Sequence, residues 1–357
     1  MSVRDIPIGT HAKLIPRRCE GLLEYYKLQM LEKLNCYAER FGILLITVAL
    51  IAGMAGCGSL SQNLEIRTWY DLVAVRNNLR GHHILMNDLD STTAGYEELA
   101  SPTANQRQGW KPIGTEDDLF AGTFDGQGYE IRDLFSNRPD ESDVGLFGVV
   151  GEGGVVQNIG VVNADVTGYG TVGGLVGDND GGTVSNSYST GNVTGIGWVG
   201  GLVGVNLGTV SNAYSSGSVT GNECVGGLAG NNSGTASNSY STGSVIGDDN
   251  VGGLVGDNTA TVSNSYSTGS VTGNTHVGGL VGRNEGTVGN SFWNTQTSGQ
   301  GSSAGGTGKT TAQMKNIATF LGAAWNIIAV TSGQTNPTYI WNIVDNVTYP
   351  FLSWQPV

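Results

Sequence analysis

The stretch that decides the fold is residues 251–273, which read VGGLVGDNTATVSNSYSTGSVTG. Similar stretches precede and follow it. The first two are 27 residues apart, and each later one follows after 26 residues. A fixed period of this length is the signature of a stacked repeat architecture. The recurring positions are a glycine (Gly173, Gly200, Gly226, Gly252, Gly278), an aromatic (Tyr188, Tyr214, Tyr240, Tyr266, Phe292) and two asparagines (Asn179, Asn206, Asn232, Asn258, Asn284; Asn186, Asn212, Asn238, Asn264, Asn290).

Each repeat unit is expected to form one coil of a solenoid. Val262, Asn264 and Tyr266 alternate with serines, which is the period of a strand, and glycines allow the corners. We therefore expect an all-β fold: a parallel β-solenoid of about 26-residue coils, stacked about 4.8 Å apart, with short helical caps at both ends. Three short strands fit each coil. Leu254, Val262, Tyr266 and Val271 are expected to line its interior.

Stacking places equivalent asparagines above one another. We expect the column that contains Asn264 to form a buried ladder, in which each side-chain amide bonds to the next. For the column that contains Asn258, a ladder and a left-handed turn position both remain open.

The repeat resembles the GLUG repeat of bacterial and archaeal surface proteins. Val-Gly-Gly-Leu-Val-Gly, a later Asn, and Thr-Val-Ser-Asn-Ser-Tyr-Ser-Thr-Gly carry the resemblance, and residues 110–114, 120–134, 144–148 and 156–161 resemble lead-in or degenerate copies. The resemblance covers residues 68–354 and implies an adhesin-like surface protein. Some family members are zinc peptidases, but the four histidines form no His-Glu-x-x-His pair, so we do not carry that activity over.

Residues 1–57 predict an export signal. An apolar run over 41–56 follows Lys33 and Arg40, and Met30 offers an alternative start. The run ends in Met54-Ala-Gly-Cys57, which resembles the lipobox of bacterial lipoproteins; this implies lipidation of Cys57 and membrane anchoring at the cell surface or outer membrane through that lipid alone. The remaining expected divisions are a tether (58–67), an N-terminal cap with lead-in coils (68–143), the repeat solenoid (144–294), and a Gly/Ser-rich loop with a C-terminal cap (295–357).

Charge limits the partners. The chain has a formal net charge of −13, and no Lys or Arg lies between Arg138 and Arg283. Nucleic-acid binding requires cations that neutralise phosphates, so we expect none. The glycine fingerprints at 168–173 and 195–200 do not open a helix after a strand, so no nucleotide or other organic cofactor is expected.

One corner of the coil varies while its neighbours stay constant. The five copies read Tyr169-Gly-Thr, Ile-Gly-Trp198, Asn-Glu223-Cys, Asp-Asp249-Asn and Asn-Thr-His276. Solenoid binding faces concentrate differences in this way, although drift at a solvated corner gives the same pattern. Tyr169 and Trp198 are suited to stack on a sugar or to anchor a partner protein.

Carboxylates at this corner allow three interpretations. Glu223 and Asp249 are equivalent in adjacent coils, so they are expected about 4.8 Å apart. That separation suits a glycoside-cleaving pair, a calcium site completed by Asp248, or simply solvated turn residues.

The leading hypothesis is a non-catalytic, exported lipoprotein. It presents the solenoid for adhesion to an extracellular glycan or surface protein, or serves as a spacer. The alternative is a polysaccharide-active β-helix enzyme that uses Glu223 and Asp249. A third hypothesis is ice or mineral binding by the stacked Thr and Ser rows.

Overall fold

The computed structural model describes residues 63–355. The predicted signal segment, with Met30 and Cys57, and the first half of the predicted tether lie outside the described residues. The fold is an all-β parallel β-solenoid, as the repeat period predicts. Equivalent residues pair in parallel one coil apart; Val210 pairs with Val184 on one side and with Ala236 on the other.

Each repeat coil contributes strands to four sheets, so the expected three strands per coil were too few. Sheets 1 and 2 have nine and six strands. Sheet 1 contains Leu64–Ile66, His82–Leu85, Thr123–Asp125, Val155–Gln157, Thr183–Ser185, Thr209–Ser211, Thr235–Ser237, Thr261–Ser263 and Thr287–Gly289. Sheet 2 contains Phe147–Val150, Val176–Asn179, Val203–Asn206, Ala229–Asn232, Val255–Asn258 and Val281–Asn284.

Sheets 3 and 4 have twelve and five strands. Sheet 3 contains Glu130–Arg132, Phe135–Asn137, Gly160–Thr167, Tyr188–Thr194, Tyr214–Ser215, Ser218–Thr220, Tyr240–Ser241, Val245–Ile246, Tyr266–Ser267, Val271–Thr272, Phe292–Asn294 and Thr307–Lys309. Sheet 4 contains Thr171–Gly173, Trp198–Gly200, Cys224–Gly226, Asp249–Gly252 and Thr275–Gly278.

The solenoid interior is one continuous apolar cluster. Leu254, Val262 and Val271 lie in it, as expected. Glycine keeps the interior narrow at the Gly-Gly-Leu corner: a Cβ at Gly201 would lie 2.1 Å from Oγ of Ser215. The small serine therefore occupies the inward position of its strand.

The tyrosine column faces outward, so the prediction that Tyr266 lines the interior was wrong. Asn264 adopts a left-handed conformation, with φ 48°, between strands 261–263 and 266–267. This turn interrupts the alternation of inward and outward side chains that the sequence pattern predicts, and it places Ser267 inward and Tyr266 outward. Tyr266 belongs to a second apolar cluster, formed with the C-terminal segment.

The two asparagine columns have roles opposite to the main expectation. Asn264 and its equivalents occupy left-handed turn positions, with φ of 48° to 51°. The ladder forms in the other column, where Nδ2 of each asparagine donates to Oδ1 of the next at 2.7–2.8 Å. Oδ1 of Asn179 has no partner because the position one coil earlier is Val150, which ends the ladder.

Short helices occur at both ends, as expected. The helix Trp69–Ala74 begins with a capping box between Thr68 and Asp71 and continues as a 3₁₀ turn over Val75–Asn77. The other helices are Tyr96–Leu99, Ala104–Arg107, Thr311–Met314 and Ile317–Leu321. None of the helices within residues 63–355 is both long and apolar enough to cross a membrane.

The C-terminal segment covers the tyrosine column as well as following the last coil. Sheet 5 contains Ile327–Ala329, Trp341–Ile343 and Phe351–Leu352. The tyrosine ladder, defined here as Tyr188, Tyr214, Tyr240 and Tyr266, has parallel rings 4.7–4.9 Å apart. Trp341 lies against Tyr240 and Tyr266, and Trp354 lies against Tyr188 and Tyr214.

Candidate functional site: the variable corner

The variable corner consists of residues 169–171, 196–198, 222–224, 248–250 and 274–276. These segments lead into or belong to sheet 4, where Trp198 pairs with Thr171 on one side and Cys224 on the other. The main-chain pairing is regular across these first three copies, whereas Asn250 and His276 in the last two copies adopt left-handed conformations, with φ of 49° and 48°. The corner therefore presents dissimilar side chains, on a backbone that changes between the third and fourth copies.

Exposed apolar side chains concentrate at the first two copies of this corner. Tyr169 is 52% exposed, and Ile196 and Trp198 are each 42% exposed. The coils that carry them are adjacent, since the backbone N of Ile196 donates to the carbonyl of Tyr169 at 2.9 Å. Two aromatic side chains and one aliphatic side chain thus lie on neighbouring coils with their surfaces open to solvent.

An acidic cleft of about 310 Å³ borders Trp198. The residues that shape it include Glu116, Asp143, Thr171, Asp178, Trp198 and Asn231. Carboxylate, hydroxyl and amide groups therefore lie beside an exposed indole. Carboxylates and amides bind sugar hydroxyls, and an aromatic face packs against a sugar ring, so the arrangement is suited to a hydroxyl-rich ligand.

Asp178 is the most perturbed carboxyl group of this cleft. Burial, followed by the negative charges of Asp143, Asp180 and Glu116, raises the pKa of Asp178 to about 7. Its Oδ1 is buried and has no hydrogen-bond partner. A substantial fraction of Asp178 is therefore protonated at neutral pH, and in that form it both donates and accepts hydrogen bonds.

The later copies of the corner are polar. Nδ1 of His276 lies 3.0 Å from Oδ1 of Asp249, and both side chains are about half exposed. Oδ1 of Asp248 accepts a hydrogen bond of 2.8 Å from Nδ2 of Asn274. Within residues 63–355, no group of three or more His, Cys, Asp or Glu side chains has a metal-binding arrangement. Calcium at Glu223, Asp248 and Asp249 and catalysis by Glu223 and Asp249 remain predictions.

The corner contains a free thiol, that of Cys224. Cys224 is buried, and burial raises its pKa to about 11, so the thiol is protonated at neutral pH. It acts as a small packing residue between Trp198 and Asn250.

Sequence reasoning found the aromatic side chains but missed the acidic cleft. Glu116 and Asp143 come from the lead-in region, where the repeat register is degenerate. The position before each ladder asparagine also varies, from Asp178 through Val205, Asn231 and Asp257 to Arg283. This second column of varying residues lies next to the variable corner. It is the sequence signal that indicates the wall of the cleft formed by Asp178, Val205 and Asn231.

Comparison with known proteins supports the repeat assignment. The profile of the GLUG motif matches residues 168–194 and 247–272. The chain is 38% identical over 131 residues to a protein of Evansella cellulosilytica named as a Gly-rich membrane protein, and 35% identical over 149 residues to halomucin of Haloquadratum walsbyi. No solved structure matches.

These similarities are local. They cover 35% and 40% of this chain but only 14% and 2% of the two relatives. The two matched segments lie in coils of the solenoid. In these coils the strands, the turns and the ladder asparagines recur at the spacing of the sequence repeat. This chain carries the GLUG motif in two segments of its repeat region, and it folds as a parallel β-solenoid.

Proposed function

We propose that this protein is a non-catalytic, cell-surface solenoid that binds an extracellular glycan through the variable corner. The observation that carries the proposal is the coincidence of sequence variation, exposed aromatic side chains and an acidic cleft at one place. Tyr169 and Trp198 supply ring faces, and Asp143 and Asp178 supply hydrogen-bonding groups beside them. A surface protein that uses the same two aromatic anchors is the second class of partner.

A surface location is part of the proposal. One relative is named as a membrane protein. In this chain the basic and apolar run before Cys57 supports export and a lipid anchor on that cysteine. Mass spectrometry of the membrane fraction tests this directly, and an unmodified Cys57 in cells would contradict the anchor.

Binding is expected to depend on the two exposed aromatic residues. On a glycan array, the full chain should bind a restricted set of neutral glycans. The double variant Tyr169→Ala/Trp198→Ala should lose roughly tenfold or more in affinity, because each aromatic contact contributes on the order of 1 kcal/mol. Both side chains are exposed, so its thermal midpoint should change little.

The matched control is Leu207→Ala. Leu207 is also exposed, at 47%, but it lies outside the variable corner. It should leave binding unchanged. Equal loss in the control and the double variant, or no glycan bound by the unaltered chain, would argue against glycan recognition at this corner. A screen of surface proteins with the same variants would then test the second class of partner.

A further inference from the structure

The tyrosine ladder ends abruptly at Tyr188. Its ring stacks on Tyr214 at 4.7 Å, but the position one coil earlier is Gly160, which pairs directly with Tyr188. Glycine leaves no side chain there, and a Cβ at Gly160 would lie 2.4 Å from Cζ of Tyr188. The stack of aromatic rings therefore stops where the next member would have been.

A cavity of about 430 Å³ lies at this end of the ladder. Gly160 and Tyr188 line it, Trp354 from the C-terminal segment forms another wall, and Asp125, Glu130 and Asn158 supply polar groups. The ring of Trp354 is 6.1 Å from that of Tyr188. Cavities of this volume that combine apolar walls with a few fixed polar groups are typical small-molecule sites.

The polar groups of the cavity are held in place by one another. Oδ1 of Asp125 accepts hydrogen bonds from the backbone N of Gln127 at 2.8 Å and from Nδ2 of Asn158 at 3.0 Å. Oδ1 of Asn158 accepts from Nδ2 of Asn186 at 3.1 Å. The Tyr188 hydroxyl donates to Oε1 of Glu130. Ligand binding would need little reordering of these groups, which favours affinity.

The geometry points to a second binding site here, for a neutral sugar ring that packs against Tyr188 and Trp354 at the open end of the tyrosine ladder. Two aromatic walls suit the apolar face of a pyranose, and carboxylate and amide groups suit its hydroxyls. Of the described residues that line the cavity, none is Lys or Arg. Arg132 pairs with Glu130 from outside this lining, but the carboxylate of Asp125, whose hydrogen-bond partners are neutral, disfavours uronic acids and other anions.

This site is separate from the variable corner. The corner cleft and this cavity share no lining residue. One site lies along sheet 4, and the other lies on the tyrosine side of sheet 3. The two sites can thus be tested by different variants of the same chain.

The test is isothermal titration calorimetry of the full chain with cellotriose, xylotriose, maltotriose, chitotriose and trigalacturonate. At least one neutral trisaccharide should bind, and trigalacturonate should not. Tyr188→Ala should weaken binding roughly tenfold or more, whereas Tyr188→Phe, which keeps the ring, should retain most of it. Gly160→Ala should also weaken binding because the added Cβ displaces the Tyr188 ring. This variant replaces Tyr188→Ala in the test if Tyr188→Ala fails to fold.

Trp198→Ala distinguishes this site from the variable corner. Binding that survives Trp198→Ala and falls in Tyr188→Ala supports the cavity. Binding that falls only in Trp198→Ala assigns the sugar to the corner and overturns this inference. Failure of every neutral trisaccharide to bind, or equal binding by Tyr188→Ala and the unaltered chain, overturns it as well.

Discussion

Replacement of Trp341 by alanine is expected to destabilise the C-terminal segment by about 3–5 kcal/mol, the range for truncation of a buried aromatic side chain. Trp341 is fully buried, and its ring lies 4.8 Å from Trp325 and 5.8 Å from Tyr266. The loss would open the second apolar cluster and expose the tyrosine ladder. The coil interior belongs to a separate cluster and should persist.

Urea unfolding, followed by tryptophan fluorescence and far-UV circular dichroism, checks this expectation. In Trp341→Ala the fluorescence transition should move to lower urea, ahead of the loss of β structure. Trp341→Phe is the matched control. It should cost less because it keeps most of the ring, and Nε1 of Trp341 has no hydrogen-bond partner to lose. Coincident, unshifted transitions in Trp341→Ala would show that the segment does not depend on this side chain.

Replacement of Asn232 by alanine is expected to destabilise the solenoid by about 2–4 kcal/mol, because it leaves buried amide groups unpaired. Asn232 is fully buried in the middle of the ladder. It accepts from Nδ2 of Asn206 and donates to Oδ1 of Asn258, each at 2.8 Å. Alanine would remove a donor from Asn258 and an acceptor from Asn206. A lower urea midpoint for the loss of β structure measures the effect.

The neighbouring residue provides the control. Asn231 lies on the same strand but points to the opposite face and is only half-buried. Asn231→Ala should change stability by less than about 0.5 kcal/mol. Equal effects of the two substitutions would mean that the ladder contributes nothing beyond the ordinary cost of losing an asparagine.

The period of the sequence was sufficient to predict the solenoid, because a 26-residue repeat fixes which residues stack. It was not sufficient to orient each side chain. Both asparagine columns recur equally well, and only the backbone reveals that Asn264 has positive φ while Asn258 points inward. The same left-handed turn reverses the face of Tyr266, which strict alternation would have placed inside.

Only part of the candidate site could be predicted from the repeat. Tyr169 and Trp198 are visible as differences between aligned copies. The acidic cleft requires Glu116 and Asp143 from lead-in coils whose register the repeat does not specify. The cavity beside Tyr188 depends on Trp354, which is distant in sequence and approaches only because the C-terminal segment folds back onto the tyrosine ladder.

The constant columns of the repeat maintain the fold, with one asparagine column in a buried ladder and the other in turns. Side-chain amide hydrogen exchange, measured by NMR on the full chain, tests it most directly. We expect slow exchange of the Nδ2 protons in Asn206, Asn232 and Asn258, and fast exchange in Asn212, Asn238 and Asn264. Equal exchange in the two columns, or slower exchange in the second, would contradict it.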